Sequence, residues 1–177
     1  LGRLDEAEAS YMQAITLKPD FAEAHSNLGR MLQGLGRLDE AEASCAQAIA
    51  LKPDFAKAHS NLGNTLRELG RLDEAEASYM QAITLKPDFA EAHNNLGVMQ
   101  QELGRLDKAE ASYTQAITLK PDFAAAYFKL GQILYANGDI DRAIEIHQKA
   151  YEIDSSMREN ELLLNVLRSK ITRGKTA

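Results

Sequence analysis

Four kinds of residue in this chain carry side chains capable of chemistry. Three histidines, His25, His59 and His93, stand 34 residues apart. Imidazole is the commonest metal ligand and proton carrier near neutral pH. Carboxylates cluster in Asp-Glu-Ala-Glu runs from Asp39 and Asp73, a pattern compatible with paired acid–base work. Cys45 is the sole cysteine and the sole thiol nucleophile. Asparagines Asn27, Asn61 and Asn95 repeat at the same interval as the histidines, each amide offering donors and an acceptor together.

The interval decides between these chemistries. Leu-Gly-Arg-Leu-Asp starts at Leu1, Leu35, Leu69 and Leu103, and Lys-Pro-Asp-Phe-Ala at Lys18, Lys52, Lys86 and Lys120. Segment 22–55 matches 56–89 at 26 of 34 positions, so one supersecondary unit is stacked on itself. Equivalent residues in neighbouring units lie roughly 10 Å apart, whereas zinc–nitrogen bonds are about 2 Å; the histidines cannot share an ion and read as packing residues. The carboxylates recur in nearly every copy and fit helix N-termini, and Cys45 has no unique histidine beside it and reads as a buried thiol. No catalytic residue, metal site or cofactor is expected.

The elements that hold these residues are helices. Ala24, Leu28, Met31, Leu32 and Leu35 recur at spacings of three and four, and Gly36 ends that helix as a left-handed C-cap. A second helix is predicted from Asp39, with Glu42 completing a capping box and Ala41, Cys45, Ala48 and Ile49 as its apolar stripe; Pro53 stops it and Asp54 is placed to cap the next helix. Glycines at 29, 63, 97 and 131 sit mid-helix, where each costs about 1 kcal/mol against alanine. They face recurring alanines such as Ala41 and Ala48, small residues that let two helices come within about 8 Å. The fold class is all-α.

These residues resemble the tetratricopeptide repeat family: Leu28, Gly29, Ala41, Ala48 and Pro53, with Cys45 in the usual tyrosine place, then Leu62, Gly63, Leu66, Ala75, Tyr79, Ala82 and Pro87. The third copy carries Gln100 where a large apolar residue is expected, and the fourth carries His147 in the aromatic place and Ser155 for proline. The resemblance implies a right-handed α-solenoid of stacked helix–turn–helix repeats. Residues 1–21 are the second helix of a partial repeat; full repeats span 22–55, 56–89, 90–123 and 124–157; 158–177 form a capping helix and tail, with Ser156 as its cap and Leu162, Leu163, Leu164, Val166 and Leu167 as its apolar side. The partial repeat leaves Leu4, Ala7, Tyr11 and Ala14 partly uncovered, a face open to homo-association, and the chain reads as a fragment of a longer array.

In this family the first helices line the concave surface. The Asn27–Asn61–Asn95 series is similar to the asparagine ladder in the repeats of O-linked N-acetylglucosamine transferase, which holds peptide backbones. That likeness covers these three positions only, with Lys129 breaking the ladder in the fourth repeat, and implies a non-catalytic scaffold binding a peptide or partner segment along the groove through Asn27, Asn61 and Asn95; Arg30, Arg67, Lys129 and neighbouring side chains are expected to set specificity, with Asn64 also in the groove. Amide bonding between neighbouring repeats, simple copying by duplication, a self-associating structural array, and the targeting arm of a glycosyltransferase-like enzyme are the competing readings. A carboxylate clamp is not assembled, since Lys57 and Lys129 are isolated. In the fourth repeat Tyr127, Phe128 and Tyr135 form either a side-chain pocket or packing under the capping helix. With 20 basic against 26 acidic side chains, a net charge of −6 argues against nucleic-acid partners and a polybasic membrane anchor. No apolar run approaches the roughly 18 residues of a membrane span, and a cytoplasmic location is expected.

Overall fold

In a computed structural model the described residues are 2–156 and 164, with side chains described from residue 6 onward. Among them are nine helices and no strand: α1 (Gly2–Leu17), α2 (Ala22–Gly34), α3 (Leu38–Leu51), α4 (Ala56–Glu68), α5 (Leu72–Leu85), α6 (Ala90–Glu102), α7 (Leu106–Leu119), α8 (Ala124–Ala136) and α9 (Ile140–Ile153). The all-α solenoid class is thus as expected. The predicted capping helix lies outside the described residues, apart from Leu164, which is helical and buried. The chain divides into two compact units, Leu1–Asn95 and Leu96–Ala177.

In the first unit, α2 packs on α3 and α4 on α5, with α3 and α2 both bordering α4. The second helices turn a stripe of small residues inward: Ala41, Cys45 and Ala48 on α3, and Ala75, Tyr79 and Ala82 on α5, are wholly buried. The mid-helix glycines meet this stripe at its largest member. A methyl group added at Gly63 would lie 2.7 Å from the Tyr79 ring, and one at Gly29 would lie 2.5 Å from the Cys45 sulfur. The second unit repeats the contact, with Gly97 against Tyr113 and Gly131 against His147. There Ala109, Tyr113, Leu130, Ile133, Leu134 and Ala143 form one apolar cluster. Gln100, the departure from the family pattern, is buried and accepts a hydrogen bond from Ser112 Oγ at 2.8 Å.

The turns follow the sequence reading. Gly36, at φ +74°, ends its helix in the left-handed region, as do its three repeats, where a side chain would be strained. The caps do not follow it. Helix α3 begins at Leu38 with Arg37 in the N-cap position and no side-chain cap, and α4 begins at Ala56 after Phe55, again with no side-chain cap; Asp54 accepts from Ala56 N–H through its carbonyl at 3.0 Å. The Asp39–Glu42 box is therefore not formed. Of these, Glu42 is taken by an arginine instead: Arg71 donates to it at 2.7 Å and to Glu74 at 2.6 Å, and in the preceding copy Arg37 Nη1 donates to Glu8 at 2.7 Å and Nη2 to Glu40 at 2.6 Å. A forked arginine–carboxylate pair makes two parallel bonds of fixed geometry where a cap makes one. Hydrogen bonds from these arginines hold the Glu40 and Glu74 carboxyls below their ordinary 4.5. Their contribution is present above that value and is lost as pH falls through the lowered folded one. Helix α9 does have a side-chain cap, with Arg142 N donating to Asp139 at 3.3 Å.

Two substitutions separate the close contact from generic glycine effects. Gly63→Ala should destabilise by about 1–3 kcal/mol, because the fully buried Tyr79 ring cannot retreat. Gly34→Ala, at a helical glycine with nothing within 4 Å, should instead gain up to about 1 kcal/mol. Urea unfolding followed by circular dichroism reads both signs. Burial pushes the Cys45 thiol up to about 12, so at pH 8 a thiol reagent should label the native protein only as fast as it opens.

Candidate functional site

The ladder asparagines all fall in the first unit, on α2, α4 and the start of α6. Arg30, Asn61, Asn64 and Asn95 line one cleft of about 380 Å³, together with Lys57, Ser60, Phe89 and Glu91. Asn27 adjoins it, since its Oδ1 accepts a hydrogen bond from Lys57 Nζ at 3.3 Å. Arg67 is half-buried and is not among the lining residues. Lys129 stands half-buried on α8, in the second unit.

The three amides are not equivalent. Asn61 is only 6% exposed, and its Nδ2 donates to Ser26 Oγ at 3.0 Å and to the Ser26 carbonyl at 3.2 Å. It therefore ties α4 to α2. Asn27 and Asn95 are half-buried and keep more of their surface; Asn95 Oδ1 receives only a long bond, 3.4 Å, from Asn94. Asn64 accepts the Tyr79 hydroxyl at 2.8 Å and so anchors a core ring while bordering the cleft.

Lys57 is not isolated, as the sequence reading had it: it shares the cleft with Arg30. Its signal was a charge reversal, lysine where Glu23 and Glu91 hold the equivalent positions one repeat away on either side. Arg30 and Lys57 give the cleft two cations against the single carboxylate of Glu91, in a chain whose net charge is −6. Phe89 reaches the same place from the Lys-Pro-Asp-Phe turn, where the Lys86 ammonium sits 5.2 Å from its ring. This set suits an extended segment carrying an acidic group: amides for its backbone, cations for its charge, and an aromatic for an apolar side chain.

The other chemical candidates are occupied structurally. His25, His59 and His93 each bring Nε2 to a proline carbonyl at the preceding turn, those of Pro19, Pro53 and Pro87, at 3.0, 3.0 and 3.1 Å. No group of three metal-ligating side chains occurs among the described residues. Glu40 and Glu74 are paired with arginines rather than with one another. In the second unit Phe128 packs edge-on to His147, with ring centroids 5.4 Å apart, so its partner is α9. Tyr135 packs against the apolar cluster. Tyr127 instead borders a cavity of about 410 Å³ with Ile146, Gln148 and Lys149. No described helix is long and apolar enough to cross a membrane.

No curated protein matches the chain. Among solved structures it is similar to MamA, at 26% identity over 89% of this chain and 92% of that one, with a TM-score of 0.73. It is also similar to TTC0263, a thermophilic TPR protein of Thermus thermophilus, at 25% identity, coverage of 94% and 91%, and a TM-score of 0.80. It shares the fold of YrrB, described as a TPR protein with an unusual peptide-binding site, at 20% identity, coverage of 92% and 84%, and a TM-score of 0.69. The family descriptions "TPR repeat" and "Tetratricopeptide repeat" match residues 1–36 and 63–104, and residues 22–55, 44–77 and 100–157, respectively. With the paired helices, the glycine under the ring and these matches together, the chain belongs to the tetratricopeptide repeat family.

Proposed function

We propose that the chain is a non-catalytic interaction scaffold that holds an extended, acidic peptide or partner segment along the first helices of its N-terminal unit. The observation that carries this is the convergence of Arg30, Lys57, Asn64 and Asn95 on one cleft. Asn27 and Asn95 supply paired donor and acceptor groups to the visiting backbone. Arg30 and Lys57 select a carboxylate. Asn61 acts beneath them by fixing α4 against α2, so the spacing of the outer amides is set before a ligand arrives and less ordering is needed on binding. YrrB, a structural neighbour described as having a peptide-binding site, lends the reading support by analogy of fold alone.

The test takes peptides selected from a random display library on the chain and measures their affinity by calorimetry. Asn27→Ala with Asn95→Ala should raise Kd at least roughly tenfold, the loss of two net hydrogen bonds, with helicity and unfolding unchanged. Asn61→Ala should behave oppositely in stability, costing about 1–3 kcal/mol because buried Ser26 loses its donor. Arg30→Glu should abolish the preference for acidic peptides. Unaltered affinity in the Asn27/Asn95 variant overturns the reading.

A further inference from the structure

Two successive Lys-Pro-Asp-Phe turns, Lys52–Phe55 and Lys86–Phe89, differ in one charge. At the first, the Lys52 ammonium stands 5.0 Å from the Phe55 ring centroid and from there donates to the Glu23 carboxylate at 3.1 Å. The second turn repeats half of this geometry, with Lys86 Nζ 5.2 Å from the Phe89 ring centroid. The other half is reversed. The residue 29 positions earlier is Glu23 for Lys52 but Lys57 for Lys86. A pair of like charges therefore stands where the preceding repeat has a salt bridge. Lys57 Nζ turns to Asn27 Oδ1, at 3.3 Å, and among the described residues no ion pair joins Lys57 or Lys86 to a carboxylate.

Both lysines reach the cleft. Lys57 lines it, as does Phe89, the ring beside the Lys86 ammonium, and Arg30 adds a third cation. Lys57 also stands in the first turn of α4, which holds no acidic residue and where a cation opposes the helix dipole. The protein thus keeps a repulsive arrangement that its own residues relieve one repeat earlier. A bound anion relieves it in the same way, by taking over Lys86 the place that the Glu23 carboxylate takes over Lys52.

The valence of that anion follows from the charges it meets. A carboxylate brings one charge and two oxygens, which serve one lysine, as Glu23 does. A phosphate monoester brings about 1.5 to 2 negative charges at pH 7 and three acceptor oxygens, enough for both ammonium groups at once, and lysine binds phosphate as a compact point charge. We propose that the cleft recognises a phosphorylated serine or threonine of its extended ligand, with the phosphate seated between Lys57 and Lys86. This rests on the placement of an extended segment in the cleft, argued above, and refines that segment's acidic group to a phosphate monoester.

The probes are three dye-labelled, capped heptapeptide pools, random at every position except a central phosphoserine, glutamate or serine, titrated with the full chain and read by fluorescence anisotropy. The phosphoserine pool should bind at least roughly tenfold more tightly than the glutamate pool, the gain of one further charge-assisted contact. Lys57→Glu restores the arrangement of Glu23 with Lys52, so it should unfold in urea no sooner than the parent chain and yet abolish the phosphoserine advantage. Lys86→Gln should abolish it as well. Asn27→Ala with Asn95→Ala should weaken both acidic pools alike and leave their ratio unchanged, because those amides meet the backbone. Equal binding of the phosphoserine and glutamate pools overturns the phosphate inference, and leaves the extended-segment reading standing where both bind more tightly than the serine pool. A phosphoserine advantage that survives both lysine variants also overturns it, since the phosphate then sits elsewhere. A lysine-dependent advantage with full affinity in the asparagine variant sinks the backbone reading alone, and no binding of any pool ends both.

Discussion

The close approach of a first helix to the aromatic or thiol of its partner, across a glycine, is the constraint on which the rest of this structure depends. A mid-helix glycine costs about 1 kcal/mol against alanine, and the chain accepts that cost at four equivalent places. In each, the space a methyl group would take is filled by the partner's side chain: Cys45, Tyr79, Tyr113 and His147. The flanking alanines are completely buried, so the two helices lock face to face. That lock fixes which side of each first helix turns away from its partner. The rotation carries Asn64 to the rim of the cleft while its Oδ1 still accepts the Tyr79 hydroxyl. A side chain that anchors the core on one edge borders the binding surface on the other.

Between hairpins, polar links add to the packing of neighbouring helices. Asn61 reaches Ser26, Arg37 reaches Glu8, and Arg71 reaches Glu42. The first is buried and specific in geometry, and an unmade bond there is expensive. The arginine pairs are exposed, and such pairs contribute little to stability individually; what they share is a fixed step from one hairpin to the next. The step sets the distance between Asn27 and its successors, and that spacing is what a peptide backbone would meet.

Much of this was legible in the sequence because repetition makes position visible. Helix order, the left-handed glycine turns, the buried thiol and the structural histidines follow from residue type at a recurring place. The caps were not legible. Asp39 and Glu42 have capping-box spacing, but Glu42 pairs with Arg71 of the next hairpin, a partner whose reach depends on three-dimensional neighbours. The asparagines show the same limit. Asn27, Asn61 and Asn95 all stand in His-x-Asn-Leu-Gly, yet one spends its amide on Ser26 while the others keep more exposed surface. Burial is a property of the neighbouring hairpin, and a residue's own helix does not record it. Lys57 stood out only as a reversed charge, and its proximity to Arg30 emerged when the helices were placed.

The most direct measurement is nuclear magnetic resonance of the asparagine side-chain amides as a selected acidic peptide is added. The account predicts that the Asn27 and Asn95 NH2 signals shift with saturation while that of Asn61, held by Ser26, stays in place and exchanges slowly with solvent. A shift at Asn61 with Asn27 and Asn95 unmoved, or no shift at any of the three, would contradict it.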